Sequence, residues 1–135
     1  MAKKIPRRGV DLGLQIWWMQ RRFPGFAYHR GSRAWIGALQ PTAMSPVYLV
    51  KVVYRDERSP SVRIVRPEVT EAPHRYPDGS LCLFYPPDRS WRYDSLVALT
   101  TVPWTAEWLF FYECWRDAGI WFGDEVPHKG RKKLA

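Results

Sequence analysis

The chain has 135 residues, of which 46% are hydrophobic and 16% aromatic. That is enough for one packed core, too short for two, and too apolar for a disordered chain. The formal net charge of +8 suggests a nucleic-acid partner only until it is located.

Eight of the 21 Lys and Arg residues lie at the two ends: Lys3, Lys4, Arg7 and Arg8, then Lys129, Arg131, Lys132 and Lys133. The thirteen that remain are matched by thirteen acids, so the body is formally neutral. The expected organisation is a basic tail over 1–9, a single domain over 10–128, and a second basic tail over 129–135. Such tails suit solubility or weak steering toward an acidic partner. Nucleic-acid recognition is not expected, because no basic face appears inside the domain. No apolar run approaches the roughly 18 residues of a membrane span. The basic N-terminus is not followed by an apolar stretch and cleavage site, so it does not read as a secretion signal. Two cysteines without an export signal point to reduced thiols and a cytoplasmic location. No Cys/His spacing suits zinc, and neither a metal nor a cofactor is expected.

The first element runs from Val10 to Phe23. Leu12, Ile16, Met19 and Phe23 recur at helical spacing, and Pro24-Gly25 ends the pattern. Strand candidates follow at Phe26–Arg30, Ala34–Leu39, Val47–Tyr54 and Ser61–Val65. In the third, Tyr48, Val50, Val52 and Tyr54 share one face. Turn signals at Gly31-Ser32, Gln40-Pro41, Ser45-Pro46 and Arg58-Ser59-Pro60 separate them, which predicts an antiparallel meander. Residues 67–94 then carry Pro67, Pro73, Pro77, Pro86 and Pro87, which forbid a regular helix or central strand. A long loop in a small domain is often functional. A helical turn around Ser95–Leu99 leads to a strong helix from Pro103 to Ala118. There Trp104, Trp108, Phe111, Tyr112 and Trp115 recur at helical intervals, and Gly119 suits its end. Ile120-Trp121-Phe122-Gly123 packs back as an aromatic plug. The order of elements predicts an α+β fold with helices on one antiparallel sheet.

Cys82 is the first candidate for chemistry. It lies just past the Pro77-Asp78-Gly79 turn, where a polar turn hands the chain into a short apolar run. A thiolate accepts an acyl group and passes it on as an activated thioester. The alternative is a buried structural cysteine, which is what Cys114 looks like on the strong helix. His74 could serve as a base, orient the loop, or bond the backbone. His128 could fold back beside the loop as a base, or stay a solvated tail residue. Backbone N–H groups at Gly79 and Ser80 could meet a tetrahedral oxyanion. Asp78 fits a turn former.

These residues resemble the ubiquitin-conjugating-enzyme (UBC) fold family. That family opens with an amphipathic helix, runs through a four-stranded meander, and enters a long active-site loop. The loop carries His-Pro-Asn, then a Gly-x-Ile-Cys-Leu motif whose cysteine forms the thioester, with a tryptophan ahead of the next long helix. Gly79-Ser80-Leu81-Cys82-Leu83 is similar to the cysteine motif, Trp91 to the tryptophan, and His74 to the loop histidine. Trp35-Ile36-Gly37 through Pro41 and Ser45-Pro46-Val47-Tyr48 resemble the first meander strands. Arg75 and Tyr76 stand where the family has Pro and Asn, so the asparagine's place at the oxyanion is either vacant or filled by another group, Tyr76 or backbone N–H groups among them. The C-terminal half is compressed to one strong helix. In this the chain resembles compact bacterial members from antiphage operons, including the short type II form of CBASS. The ending from Trp121 to His128 is also similar to that branch, which strengthens His128 as a candidate.

The resemblance implies Cys82, His74 and His128 as catalytic residues, with Tyr76, Gly79 and Ser80 supporting the oxyanion or the loop. It implies thioester chemistry on the C-terminal tail of a cGAS-like nucleotidyltransferase, by conjugation or deconjugation, in antiphage defence. Alternatives are a catalytically inactive UBC-like binding module, or a conjugating enzyme served by an activating enzyme and a ubiquitin-like protein.

Overall fold

The apolar spacing that predicts the first helix sits on α1, Leu12–Arg22. Asp11 caps it by accepting from the Gly13 N–H at 3.0 Å, so the helix starts two residues later than the periodicity alone suggests. The computed structural model describes residues 10–56, 58–83 and 90–123. After α1 come β1 (Ala27–His29), β2 (Ala34–Leu39), β3 (Tyr48–Arg55), β4 (Arg58–Arg66) and α2 (Thr101–Ala118). The strands form one antiparallel sheet in the order β1-β2-β3-β4, which is the predicted meander.

Besides shifts of one or two residues at other element ends, two boundaries differ from the sequence expectation for a clear physical reason. Arg58-Ser59-Pro60 is not a turn but the first part of β4, which starts three residues before Ser61. A proline is tolerated there because β4 is an edge strand and need not donate on both sides. α2 starts at Thr101, not at Pro103. Proline fits its third position because the first N–H groups of a helix have no intrahelical acceptor. Gly119 ends α2 in the left-handed conformation, with φ of 71°, as its position predicts.

One face of the sheet is the floor of the core. Trp35 pairs with Val52 and Gly37 with Val50, while Val52 pairs with Val62 across β3 and β4. These residues, with Tyr48 and Tyr54, are buried and join Met19 of α1 and Val102, Trp108, Leu109 and Tyr112 of α2 in a single cluster. Each fully buried side chain of this size contributes about 1.5–3 kcal/mol of transfer free energy. Gly37 is fixed by contact: a Cβ there would stand 2.3 Å from the Phe26 ring. Gln15, buried on α1, donates to Ser95 O at 2.8 Å and accepts from the Val97 N–H at 2.9 Å. It thereby ties the first helix to the segment that leads into α2. Among the described residues no helix is long and apolar enough to cross a membrane. The two basic tails, Pro86, Pro87 and His128 lie outside the described residues.

Candidate active site

Between β4 and α2 the chain makes a short two-stranded ribbon. Arg75 and Leu81 form an antiparallel bridge. The Tyr76 N–H donates to Ser80 O at 2.8 Å and the Cys82 N–H to His74 O at 2.9 Å. The loop at its tip is Pro77-Asp78-Gly79. Proline supplies the first turn residue, and Gly79 takes φ of 89°, the left-handed position that a three-residue hairpin loop requires. The Gly79 N–H donates to Tyr76 O at 2.9 Å. Asp78 Oδ1 accepts from both the Ser80 N–H at 2.9 Å and the Ser80 hydroxyl at 2.6 Å. These bonds from Ser80, together with Arg63 and Arg55, hold the Asp78 carboxyl below its usual range.

The ribbon is moored on three sides. The Leu81 N–H donates to Val62 O at 2.9 Å, which covers part of the β4 edge. Arg63 on β4 donates to Asp78 O and lies 3.4 Å from the Asp78 carboxylate. Arg75 donates through its terminal nitrogens to Val69 O at 2.8 Å and Thr70 O at 2.9 Å. From α2, the Trp108 indole N–H donates to His74 O at 3.2 Å.

Cys82 is half-buried at the end of this ribbon with a free thiol. Tyr76 and Cys82 flank the paired residues of the ribbon on opposite strands, and side chains alternate along each, so the two share one face as diagonal neighbours. Partial burial of the phenol, then its interaction with Cys82, pushes Tyr76 up to about 12. The hydroxyl therefore stays protonated at neutral pH and remains a donor.

His74 is only 6% exposed and has φ of 57°, an uncommon conformation for a residue with a Cβ. Its ring packs on Trp121 at 4.8 Å between centroids, and Trp121 packs in turn on Trp108 at 5.6 Å and Phe111 at 5.8 Å. Of the segment expected to pack back after α2, Trp121 does so and lies over the ribbon's histidine, whereas Ile120 and Phe122 are exposed. Gly123 continues this contact, since a Cβ there would stand 2.8 Å from the Phe111 ring.

The Gly79 and Ser80 N–H groups are both spent inside the loop, and those of Leu81 and Cys82 are spent on Val62 and His74. In this arrangement the four N–H groups from Gly79 to Cys82 hold the ribbon together and none is open to an oxyanion. Trp91 is partly buried against the core, and Cys114 is half-buried on α2. Arg63 and Trp108 were not among the sequence candidates. Each acts on the ribbon from a distant part of the chain, and no local motif signals that. No group of three or more His, Cys, Asp or Glu among the described residues could hold a metal ion.

A helix, a four-stranded antiparallel meander and a second helix, with a cysteine on the connection between sheet and second helix, define an α+β architecture of the E2 type. The family model for the type II CBASS E2 protein matches residues 15–129, and the chain belongs to that family. No curated protein matches it.

Proposed function

We propose that the protein is a cytoplasmic thioester-forming acyl transferase, with Cys82 as its nucleophile and the segment between β4 and α2 as its active-site loop. The acyl donor is the C-terminal tail of a cGAS-like nucleotidyltransferase of the same bacterial defence system. The Cys82 sulfur attacks the C-terminal acyl carbon. A C–S bond forms while the bond to the leaving group breaks. That group is the thiol of an activating enzyme or the amine of an existing conjugate, and it leaves with the proton lost by Cys82. An amine or water then attacks the thioester, giving an amide or a free carboxylate, and the thiol regains its proton. Amine attack is conjugation and water attack is deconjugation.

The observation that carries this reading is the ribbon register, which sets Tyr76 and Cys82 on one face as diagonal neighbours across the strands. With the neighbouring N–H groups committed to the ribbon, a side-chain donor is what the site offers to a thiolate and then to the tetrahedral oxyanion. Tyr76 fills the place that the family's asparagine leaves vacant. His74 acts as a positioning residue, through the carbonyl that holds the Cys82 N–H. His128, outside the described residues, remains the candidate base. Gly79 and Ser80 support the loop.

The test is incubation with the nucleotidyltransferase of the same operon, with and without any neighbouring activating enzyme. An adduct that thiols release, that Cys82→Ala abolishes and that Cys82→Ser converts to a thiol-resistant ester is expected. An adduct that survives in Cys82→Ala overturns the reading.

The committed N–H groups also favour a second reading, a binding module without chemistry. Iodoacetamide separates the two: a nucleophile is alkylated at Cys82 in the folded protein, whereas an inert thiol reacts only after denaturation.

A further inference from the structure

Two of the described carboxylates near the ribbon, Asp56 and Asp78, are already held, and two described guanidiniums on the same hairpin are not held by either. Asp56 is held by Arg33 through two hydrogen bonds of 3.0 and 2.7 Å. Asp78 is held by Ser80 and Arg63. Arg55 and Arg58 stand directly opposite each other across the β3–β4 hairpin, and both are exposed. Among the described residues no carboxylate pairs with either guanidinium. Like charges directly opposite in a sheet destabilise it. Only the Arg55 Nε–H has a described partner, Ser59 O at 2.8 Å, which braces the base of the guanidinium.

This pair belongs to the same hairpin whose Arg63 grips the ribbon at Asp78. With Leu81 bonded to Val62 and Asp78 to Arg63, the ribbon runs from Asp78 to Cys82 back toward the hairpin turn that carries the two arginines. The positive charge of Arg55 also favours the ionised Asp78 carboxylate. A planar guanidinium fork takes up a carboxylate through two parallel hydrogen bonds, and two adjacent forks raise the local preference for an anion.

We propose that Arg55 and Arg58 form a recognition site for a carboxylate side chain in the tail of the acyl donor, so that the protein selects acidic C-terminal segments. This rests on the reading of Cys82 as the acyl acceptor. The ligand is an acidic residue of an extended peptide whose C-terminal acyl group reaches Cys82, and it relieves the repulsion between the two arginines as it binds.

The probes are synthetic peptide thioesters that differ only in Glu or Gln at successive positions before the C-terminal residue. Acylation of Cys82 is followed by intact mass. At low salt the Glu peptide with its acid at the matching position is expected to react about fivefold faster than its Gln counterpart, and added salt shrinks the advantage. In Arg55→Gln/Arg58→Gln the ratio falls to one. In Arg55→Glu/Arg58→Glu a Lys peptide overtakes the Glu peptide. The double Gln variant removes a repulsion, so it is expected to melt no lower than wild type. Equal rates for Glu and Gln peptides at every position, or a preference that persists in the double Gln variant, overturn the proposal. If no peptide acylates Cys82, fluorescence anisotropy with the unreactive peptide amides decides separately. A Glu preference lost in the double Gln variant then supports the docking site and counts only against the role of Cys82, whereas the absence of any preference overturns the docking site.

Discussion

Trp35 on β2 and Tyr76 on the ribbon are both aromatic side chains set beside a sheet, and they are held in opposite ways. Trp35 is 1% exposed and lies between the rings of Tyr28 at 5.0 Å and Tyr54 at 6.0 Å, so non-directional burial fixes it. Tyr76 is 45% exposed, and its place depends on directional bonds: its own N–H to Ser80, and the Gly79 N–H back to its carbonyl. Burial tolerates small shifts and resists large ones. Hydrogen bonds do the reverse, since a fraction of an ångström or one lost proton removes them. The site can therefore lose its geometry while the domain stays folded, and a substitution at either residue should say which regime it belongs to.

The largest effect belongs to the core. Trp35→Ala is expected to cost about 3–5 kcal/mol, a large part of the roughly 5–15 kcal/mol that holds such a domain together. Urea denaturation measures it, and a loss below 1 kcal/mol would break the contrast drawn above. Tyr76→Phe comes next and in a different quantity. Acylation of Cys82 should slow by about 10²-fold, the scale of removing one oxyanion donor, with the urea midpoint unchanged. A matching fall in stability would mean that the hydroxyl holds the fold and not the reaction.

Gly79→Ala is smaller. Its φ of 89° excludes a Cβ at a cost of about 1–2 kcal/mol, paid locally by the ribbon. Hydrogen exchange at Tyr76 and Cys82 should rise while exchange at Val50 and Val52 stays slow; a uniform rise would show that ribbon and sheet open as one unit. The smallest effect is Asp78 in acid. Its carboxyl lies below the usual aspartate range in the folded chain, first because Ser80 bonds the ionised form. A depressed value means that this support is present above the ordinary aspartate pKa and is lost as the pH falls through the lower, folded value. The amide resonance of Ser80 should therefore titrate with a midpoint below that of an aspartate in an unfolded peptide of the same sequence. In Asp78→Asn that transition should vanish, and a midpoint at or above the unfolded peptide's would show that Ser80 does not hold the ionised carboxyl.

How far each region can be read from the residues follows the same division. The sheet floor was legible because Tyr48, Val50, Val52 and Tyr54 alternate strictly, and a period of two has one structural meaning. The loop tip was legible because proline, aspartate and glycine each have a local backbone reason to be there. The strand start at Arg58 was missed because an edge strand accepts a proline that a central strand would refuse. The placing of Tyr76 and Cys82 on one face of the ribbon was legible only as a question. It follows from the ribbon's register, which in turn needs the left-handed Gly79 and the moorings at Val62 and Trp108. His74 illustrates the same point. Its type suggests proton transfer, while its tight packing against Trp121 and its carbonyl bond to Cys82 depend on residues well beyond any local window.

Gln15 ties the completion of α1 to a distant part of the chain. Its two bonds reach Ser95 and Val97, 80 and 82 positions further along. During synthesis Met19 has sheet residues to pack on once the strands exist, but the Gln15 amide can close only after Val97 has been made. Closing so long a stretch costs entropy, and a sheet already folded between the two ends lowers that cost.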